Sequence, residues 1–264
     1  VGNFYSSTMN FYEYGNTNVV DSFDNLNSGT GNMYKSGMNG FVVAYTDAGK
    51  YDWSQRIGGT YDIEVTDVTN TANGVAIATN HISTVNLDTN NSVTQAGAST
   101  SYTNGTIVEY TLDGTYSWRY RFYPGTTSRN VEISSLETDE NNNIIAAVEY
   151  ENTTLRGSKD GSSSYDTLIS DGTDNTYDAS LIRLTNAGDF DKVLYTVKGN
   201  YDDYIADVKV ASDGNLIFGG WYYSTNGIDT DGDGNVTGVQ DLKELSGQYT
   251  SDAFMIKLNP ELEG

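Results

Sequence analysis

One segment of the chain, Asn104–Trp118 (NGTIVEYTLDGTYSW), recurs along its length and limits the folds open to it. Residues 39–53 read NGFVVAYTDAGKYDW, residues 178–192 read DASLIRLTNAGDFDK, and residues 252–258 (DAFMIKL) open a further copy. Each copy is an apolar, β-prone run, a tight turn with glycine at its end, and a returning strand. Glycine fits such a turn because it reaches positive φ without steric cost. The spacings are 104 − 39 = 65, 178 − 104 = 74 and 252 − 178 = 74 residues. A period of this size, with four strands per unit, predicts an all-β chain of β-propeller type with enlarged loops. The competing expectation is a β-sandwich whose hairpins are alike by coincidence.

Alternation and turn signals divide each unit into strands a to d. Strand a covers Asp62–Val68, Val131–Leu136 and Ile205–Val210. Strand b covers Val75–Thr79, Ile144–Tyr150 and Leu216–Tyr222, the most apolar runs, as expected for strands covered on both faces. Strands c and d are the two halves of the recurring segment. Phe4–Tyr14 reads as one b-like strand ahead of the first copy, and no strand d follows Leu258. The expectation is therefore a single propeller domain or propeller fragment over residues 1–264, with units near 1–59, 60–125, 126–199 and 200–264. Some 3.5–4 blades are visible, and the open terminal blades are candidates for self-association. The absence of an initiator Met reads as a processed or excised piece.

The order of elements resembles the bacterial β-propeller repeats of the SBBP type. The residues carrying the resemblance are Asp252-Ala253-Phe254-Met255-Ile256-Lys257-Leu258, Trp53 with Gly58-Gly59, and Ser212-Asp213-Gly214-Asn215-Leu216. It covers most of the chain outside the b–c segments, which are much longer here. The resemblance implies a propeller and an extracellular or cell-surface setting. It implies no single activity, because one fold hosts many.

Charge narrows the partners. Net charge is −22 with 14 basic residues, which argues against nucleic acid and anionic membranes and fits cation binding or solubility. No apolar run approaches the roughly 20 residues of a membrane span. With no cysteine, disulfides, thiol catalysis and zinc–cysteine sites are excluded. The 21 tyrosines supply bulk that the low apolar content, 37%, lacks.

In a meander of this kind the a–b and c–d turns share one face and the b–c and d–a connections share the other. All the long segments (about 15–39, 81–104, 151–178 and 224–251) are b–c connections, so candidate function is directed to that loop face. The last segment contains Asp229-Thr230-Asp231-Gly232-Asp233-Gly234-Asn235-Val236. Carboxylates on alternate residues, with a glycine for the sharp turn, suit a calcium ion that takes six to eight oxygens. Candidate ligands are Asp229, Asp231, Asp233, the Asn235 carbonyl and Asp241. The run resembles the EF-hand-like loops of dockerins but departs from them at the twelfth position, which is Gln240. A short helix is expected over Val239–Leu245.

Aromatic and polar residues at the same face form a second candidate site: Trp221, Tyr222, Tyr223, Tyr201, Asp202, Asp203, Tyr61, Asp62 and Arg129. Flat rings beside carboxylates suit sugars, whose C–H faces stack while acids take hydroxyls. Trp53 and Trp118 read instead as packing between units. His81 is the only histidine, with no G-x-S-x-G near it, and reads as a structural or solvent-facing residue rather than a catalytic one. Together these features predict a calcium-stabilised extracellular or cell-surface module that binds glycans or surface proteins. The alternatives are a carbohydrate-active enzyme (glycoside hydrolase or lyase) and a structural repeat of a larger surface assembly.

Overall fold

The computed structural model describes residues 1–25, 37–59, 61–90, 92–95, 102–126, 128–151, 154–161, 164–169, 176–198, 201–223 and 251–260. These residues are strand and turn, with no helix among them. In chain order the strands are β1 (Gly2–Phe4), β2 (Thr8–Tyr12), β3 (Val19–Asp24), β4 (Asn39–Tyr45), β5 (Tyr51–Gly59), β6 (Ile63–Asn70) and β7 (Gly74–Ile82). There follow β8 (Val85–Asn86), β9 (Thr94–Gln95), β10 (Thr103–Thr111), β11 (Tyr116–Pro124), β12 (Val131–Thr138), β13 (Ile144–Glu151) and β14 (Leu155–Lys159). The last are β15 (Asp166–Ile169), β16 (Tyr177–Leu184), β17 (Phe190–Val197), β18 (Asp203–Val210), β19 (Leu216–Tyr222) and β20 (Asp252–Leu258).

All pairings among these strands are antiparallel and no sheet closes on itself. Strands β6-β7-β10-β11 and β12-β13-β16-β17 are meanders in chain order, the a-b-c-d order of the sequence. The first sheet has β1-β4-β5 and the fourth has β18-β19-β20. The three recurring hairpins fold alike. Gly49, Gly114 and Gly188 adopt φ of 73°, 79° and 79°, and each donates its N–H to the carbonyl three residues back, at Thr46, Thr111 and Thr185.

Two expectations are corrected. Phe4–Tyr14 is not one strand: β1 pairs with β4 as a short strand b, whereas β2 pairs with β3 as a separate hairpin. The polar Tyr5-Ser6-Ser7 break ends β1, and the hairpin turns Phe11 and Phe23 onto Phe41 of the first sheet, with Phe11 and Phe41 ring centroids 5.6 Å apart. The b–c segments are not simply loops either. β8 and β9 add to the outer edge of β5, and β14 and β15 add to the outer edge of β11. These inserts pair with the exposed backbone of strand d, which would otherwise be an open edge.

The sheets stack in series. One face of the first sheet (Val42, Ile57) packs on the second (Ile63, Val65, Ile77, Val108, Tyr110). The far face of the second (Ala76, Ala78, Ile107) packs on the third (Ile133, Ile144, Ala146, Val148, Tyr150). The third (Ile145, Ala147, Ala179, Leu181) packs on the fourth (Ile205, Val208, Phe218, Phe254). Strand a carries a bulge at the same place in the second, third and fourth sheets, at Val65/Asp67, Ile133/Ser135 and Ile205/Asp207. A bulge leaves backbone groups outside the ladder, and a buried one needs a partner. The preceding sheet supplies it. The Asn3 amide donates to Val65 O (3.0 Å) and accepts from Val65 N (2.8 Å), and Asn80 does the same at Ile133 (3.1 and 2.8 Å). At the third junction Glu149 holds the Asn80 position, and Ser134 Oγ donates to Ile205 O at 2.6 Å.

Trp53 and Trp118 join units as the sequence suggests. Trp53 lies on Gly114, one unit on, and donates Nε1–H to Leu112 O at 2.7 Å. Trp118 lies on Gly188, again one unit on. The third copy has Lys192 at this place, whose Nζ donates to Pro260 O at 3.0 Å.

Candidate binding site on the loop face

Strand a begins after a polar residue with a fixed task. Asp62 Oδ1 accepts from Met38 N (2.9 Å), Asn130 Oδ1 from Thr103 N (2.9 Å) and Asp202 Oδ1 from Tyr177 N (2.9 Å). Each bond ties the start of strand a to the start of strand c in the preceding sheet. It brings the d–a connection and the end of the b–c segment to one place. Asp62 and Asp202, ligand candidates by sequence, both serve in this clasp.

At the junction of the third and fourth sheets the clasp is surrounded by aromatic rings. Tyr177 and Tyr204 are stacked at 5.9 Å with 24° between planes, and Tyr204 meets Trp221 at 5.2 Å and 32°. The last pair are opposite one another across β18 and β19, so both rings stand on one face. Trp221 keeps 40% of its surface exposed and Tyr223 37%. Tyr201 and Tyr61 are exposed as well. Tyr222 is different: it is buried, with its ring 6.4 Å from that of Phe254, and belongs to the core. Arg129 donates to Ser128 O at 3.1 Å and lies 3.7 Å from Glu151. Asn130 links Glu151 to the Tyr177 hydroxyl, donating to both, at 3.3 and 2.8 Å.

Carboxylates crowd the same junction. Glu132 and Glu149 are directly opposed across β12 and β13, where like charges repel. Burial, with Glu132 beside it, pushes the Glu149 carboxyl up to about 7, while a bond from Ser134 acts the other way. Glu132 is raised too, by burial first and by Glu64. The Tyr204 hydroxyl is held above its usual range by burial and then by Asp202 and Glu149.

Asp203 is the unusual member. Opposite-strand register places it where Ile63 and Val131 stand in the second and third sheets. It is fully buried, Oδ1 accepts from Tyr223 N at 3.3 Å, and Oδ2 has no hydrogen-bond partner among the described residues. Burial raises its carboxyl to about 7, the Tyr223 bond lowers it and Asp202 raises it further. A half-satisfied buried acid in place of an aliphatic residue is expensive, and such groups cluster at functional sites.

Sequence reasoning thus found Trp221, Tyr223, Asp202 and Asp203, which the fold does bring to one junction. It missed Tyr177, Tyr204, Glu132 and Glu149. The available signal was positional, since Glu132 and Tyr204 are the second residues of equivalent strands. Asp229, Asp231, Asp233, Asn235, Asp241 and the expected helix Val239–Leu245 lie outside the described residues. Among the described residues no three His, Cys, Asp or Glu side chains are grouped to hold a metal. His81 is buried and structural. Its ring nitrogens meet Ser83 O and Thr106 Oγ1, both at 2.9 Å, and burial pushes its pKa down to about 4. No protein-family model matches the chain, and no curated protein matches it in sequence.

Proposed function

We propose that the protein is a calcium-stabilised, propeller-type binding module of the cell surface that holds glycans at the Tyr177–Tyr204–Trp221 stack. The propeller reading is supported by the serial stacking of meanders with strand a bulged and clasped alike in each. The surface setting rests on the SBBP resemblance. The observation that carries the binding reading is the stack itself, which ends on a half-exposed indole and is flanked by carboxyls. Rings take the C–H face of a sugar, and acids take its hydroxyls.

The test is calorimetric titration with a panel of neutral oligosaccharides, followed by Trp221→Ala. Removing an aromatic anchor costs about 1–3 kcal/mol, so affinity should fall roughly 5- to 150-fold. Unchanged affinity would exclude the stack as the site. The enzyme reading has one observation in its favour, the Glu132/Glu149 pair with one member raised to about 7, as a general acid requires. If the panel is hydrolysed and Glu149→Gln abolishes turnover while binding persists, that reading replaces the first.

Calcium is supported by the D-x-D-x-D-G spacing at Asp229–Gly234. A chelator should lower the melting temperature by several degrees, and Asp231→Asn with Asp233→Asn should lower it equally without chelator. A melting temperature indifferent to both would remove calcium from the proposal.

A further inference from the structure

Two arginines on the outer strands of the second sheet have surroundings unlike those of the other cations. Arg121 on β11 opposes Ser158 on β14, and Tyr123 opposes Arg156, so Arg121, Tyr123 and Arg156 stand on one face. The two arginines hold diagonal positions, about 7–8 Å apart along the backbone. Each guanidinium lies on a tyrosine ring, Arg121 on Tyr123 and Arg156 on Tyr165, both 4.3 Å from the centroid. Arg121, Tyr123 and Arg156 are half-buried and Tyr165 is exposed, so solvent reaches the row.

Charge balance sets the pair apart. The chain has 36 acidic and 14 basic residues, so a base without an acid beside it does not reflect a shortage of acids. Arg129, Lys159, Arg183, Lys209 and Lys257 each lie within 4.0 Å of a carboxylate, and Arg121 and Arg156 do not among the described residues. The Nε–H groups of both are buried without an acceptor among the described residues. Arg121 Nη2 donates to Asn104 Oδ1 at 2.9 Å. Burial pushes the Arg121 pKa down to about 10, with Tyr123 acting the other way, so the group stays charged at neutral pH. The first sheet shows the same position compensated. Arg56 opposes Phe41 as Arg121 opposes Thr106, two residues after Asn39 and Asn104 respectively. Arg56 donates to Asp24 O at 3.0 Å, and the carboxylates of Asp24 and Asp88 both favour its charged form. The third sheet avoids the charge, with Thr196 opposite Ser180.

Two neighbouring like charges, partly desolvated and given no acid, are costly until an anion joins them. A guanidinium laid on a ring has its plane fixed and keeps its edge for paired N–H donation to a planar or tetrahedral oxyanion. We propose that Arg121 and Arg156 form a binding site for an oxyanion, a carboxylate or sulfate held between the two guanidiniums, with Tyr123 and Tyr165 fixing their planes. The site belongs to β11 and β14 and is independent of the Tyr177–Tyr204–Trp221 stack.

Thermal unfolding at constant ionic strength tests the site, with sodium sulfate, sodium glucuronate and glucose as probes. At about 10 mM, sulfate and glucuronate should each raise the melting temperature by about 2–4 °C, and glucose should not. Arg121→Gln and Arg156→Gln should each remove the shift. Arg121→Lys should remove most of it, because lysine keeps the charge without the planar fork. A larger shift with glucuronate than with sulfate supports the site and makes an acidic sugar its ligand; equal shifts support it as a site for the oxyanion alone. No shift with either anion, or a shift that both Gln variants retain, overturns the inference. Asp171 and Asp174 follow β15 in the sequence and lie outside the described residues. A shift that emerges only after both are changed to Asn means that the chain supplies its own anion, and this too overturns the inference. Trp221→Ala should leave the shift unchanged, so this site and the aromatic stack succeed or fail separately.

Discussion

Asp203→Val should stabilise the protein by roughly 2–4 kcal/mol near pH 8, raising the melting temperature by about 5–12 °C, with a smaller gain near pH 4. The folded carboxyl titrates at about 7, above its unfolded value near 4. The folded state therefore holds the proton more tightly. The stability this contributes is fully present below about pH 4 and is lost as pH rises through about 7. Above that, a buried charge with one oxygen unpartnered among the described residues is tolerated at the expense of the fold. Valine removes the charge and restores the aliphatic character that Ile63 and Val131 have at this place. Asp203→Asn should flatten the same pH dependence with a smaller gain, since its amide keeps a polar group in the core. Thermal unfolding of the three proteins between about pH 4 and 8 decides the matter, and parallel pH curves for wild type and Asp203→Val would refute it. If Asp203 serves the adjacent binding site, the stabilised variant should also bind glycan less well, the usual exchange of stability for function.

The all-β character of the chain and its antiparallel hairpins were legible because the hairpin segment recurs with its glycine. Gly49, Gly114 and Gly188 mark turns whose backbone only glycine adopts easily, and the apolar runs beside them have to be buried strands. What the sequence did not announce was pairing between distant short elements. β8, β9, β14 and β15 are two to five residues long, and no period shows in so few positions. Their place is set by the open backbone of β5 and β11, which belongs to other parts of the chain. The same holds for the site. Trp221 and Asp203 stood out by type, whereas Tyr177 acquires its meaning only when the Asp202 clasp brings it against Tyr204. Tyr222 misled because neighbours in sequence point to opposite faces of a strand, and only Trp221 and Tyr223 point outward.

Gly188→Ala should be the most damaging single methyl in the hairpins, at about 3 kcal/mol or more. Two costs add there. At φ of 79° an L residue is strained by about 1 kcal/mol. The new Cβ would also lie 2.4 Å from Cδ2 of Trp118, a buried ring with no room to retreat. Gly114→Ala meets Trp53 at 2.6 Å and should behave alike, slightly less severely because Trp53 is only half-buried. Gly214 separates the two costs. Its φ is 78°, but nothing lies within 3.7 Å of its Cβ position, so Gly214→Ala should lose only the conformational part, about 1 kcal/mol. Denaturant unfolding of the three variants gives the order directly. Equal losses at Gly188 and Gly214 would mean that Trp118 yields to the methyl, and that the unit-to-unit contact is looser than its burial implies. The predicted difference says that each hairpin is held by the tryptophan of the unit before it, so that the turn glycine is needed for contact between sheets as much as for the turn itself.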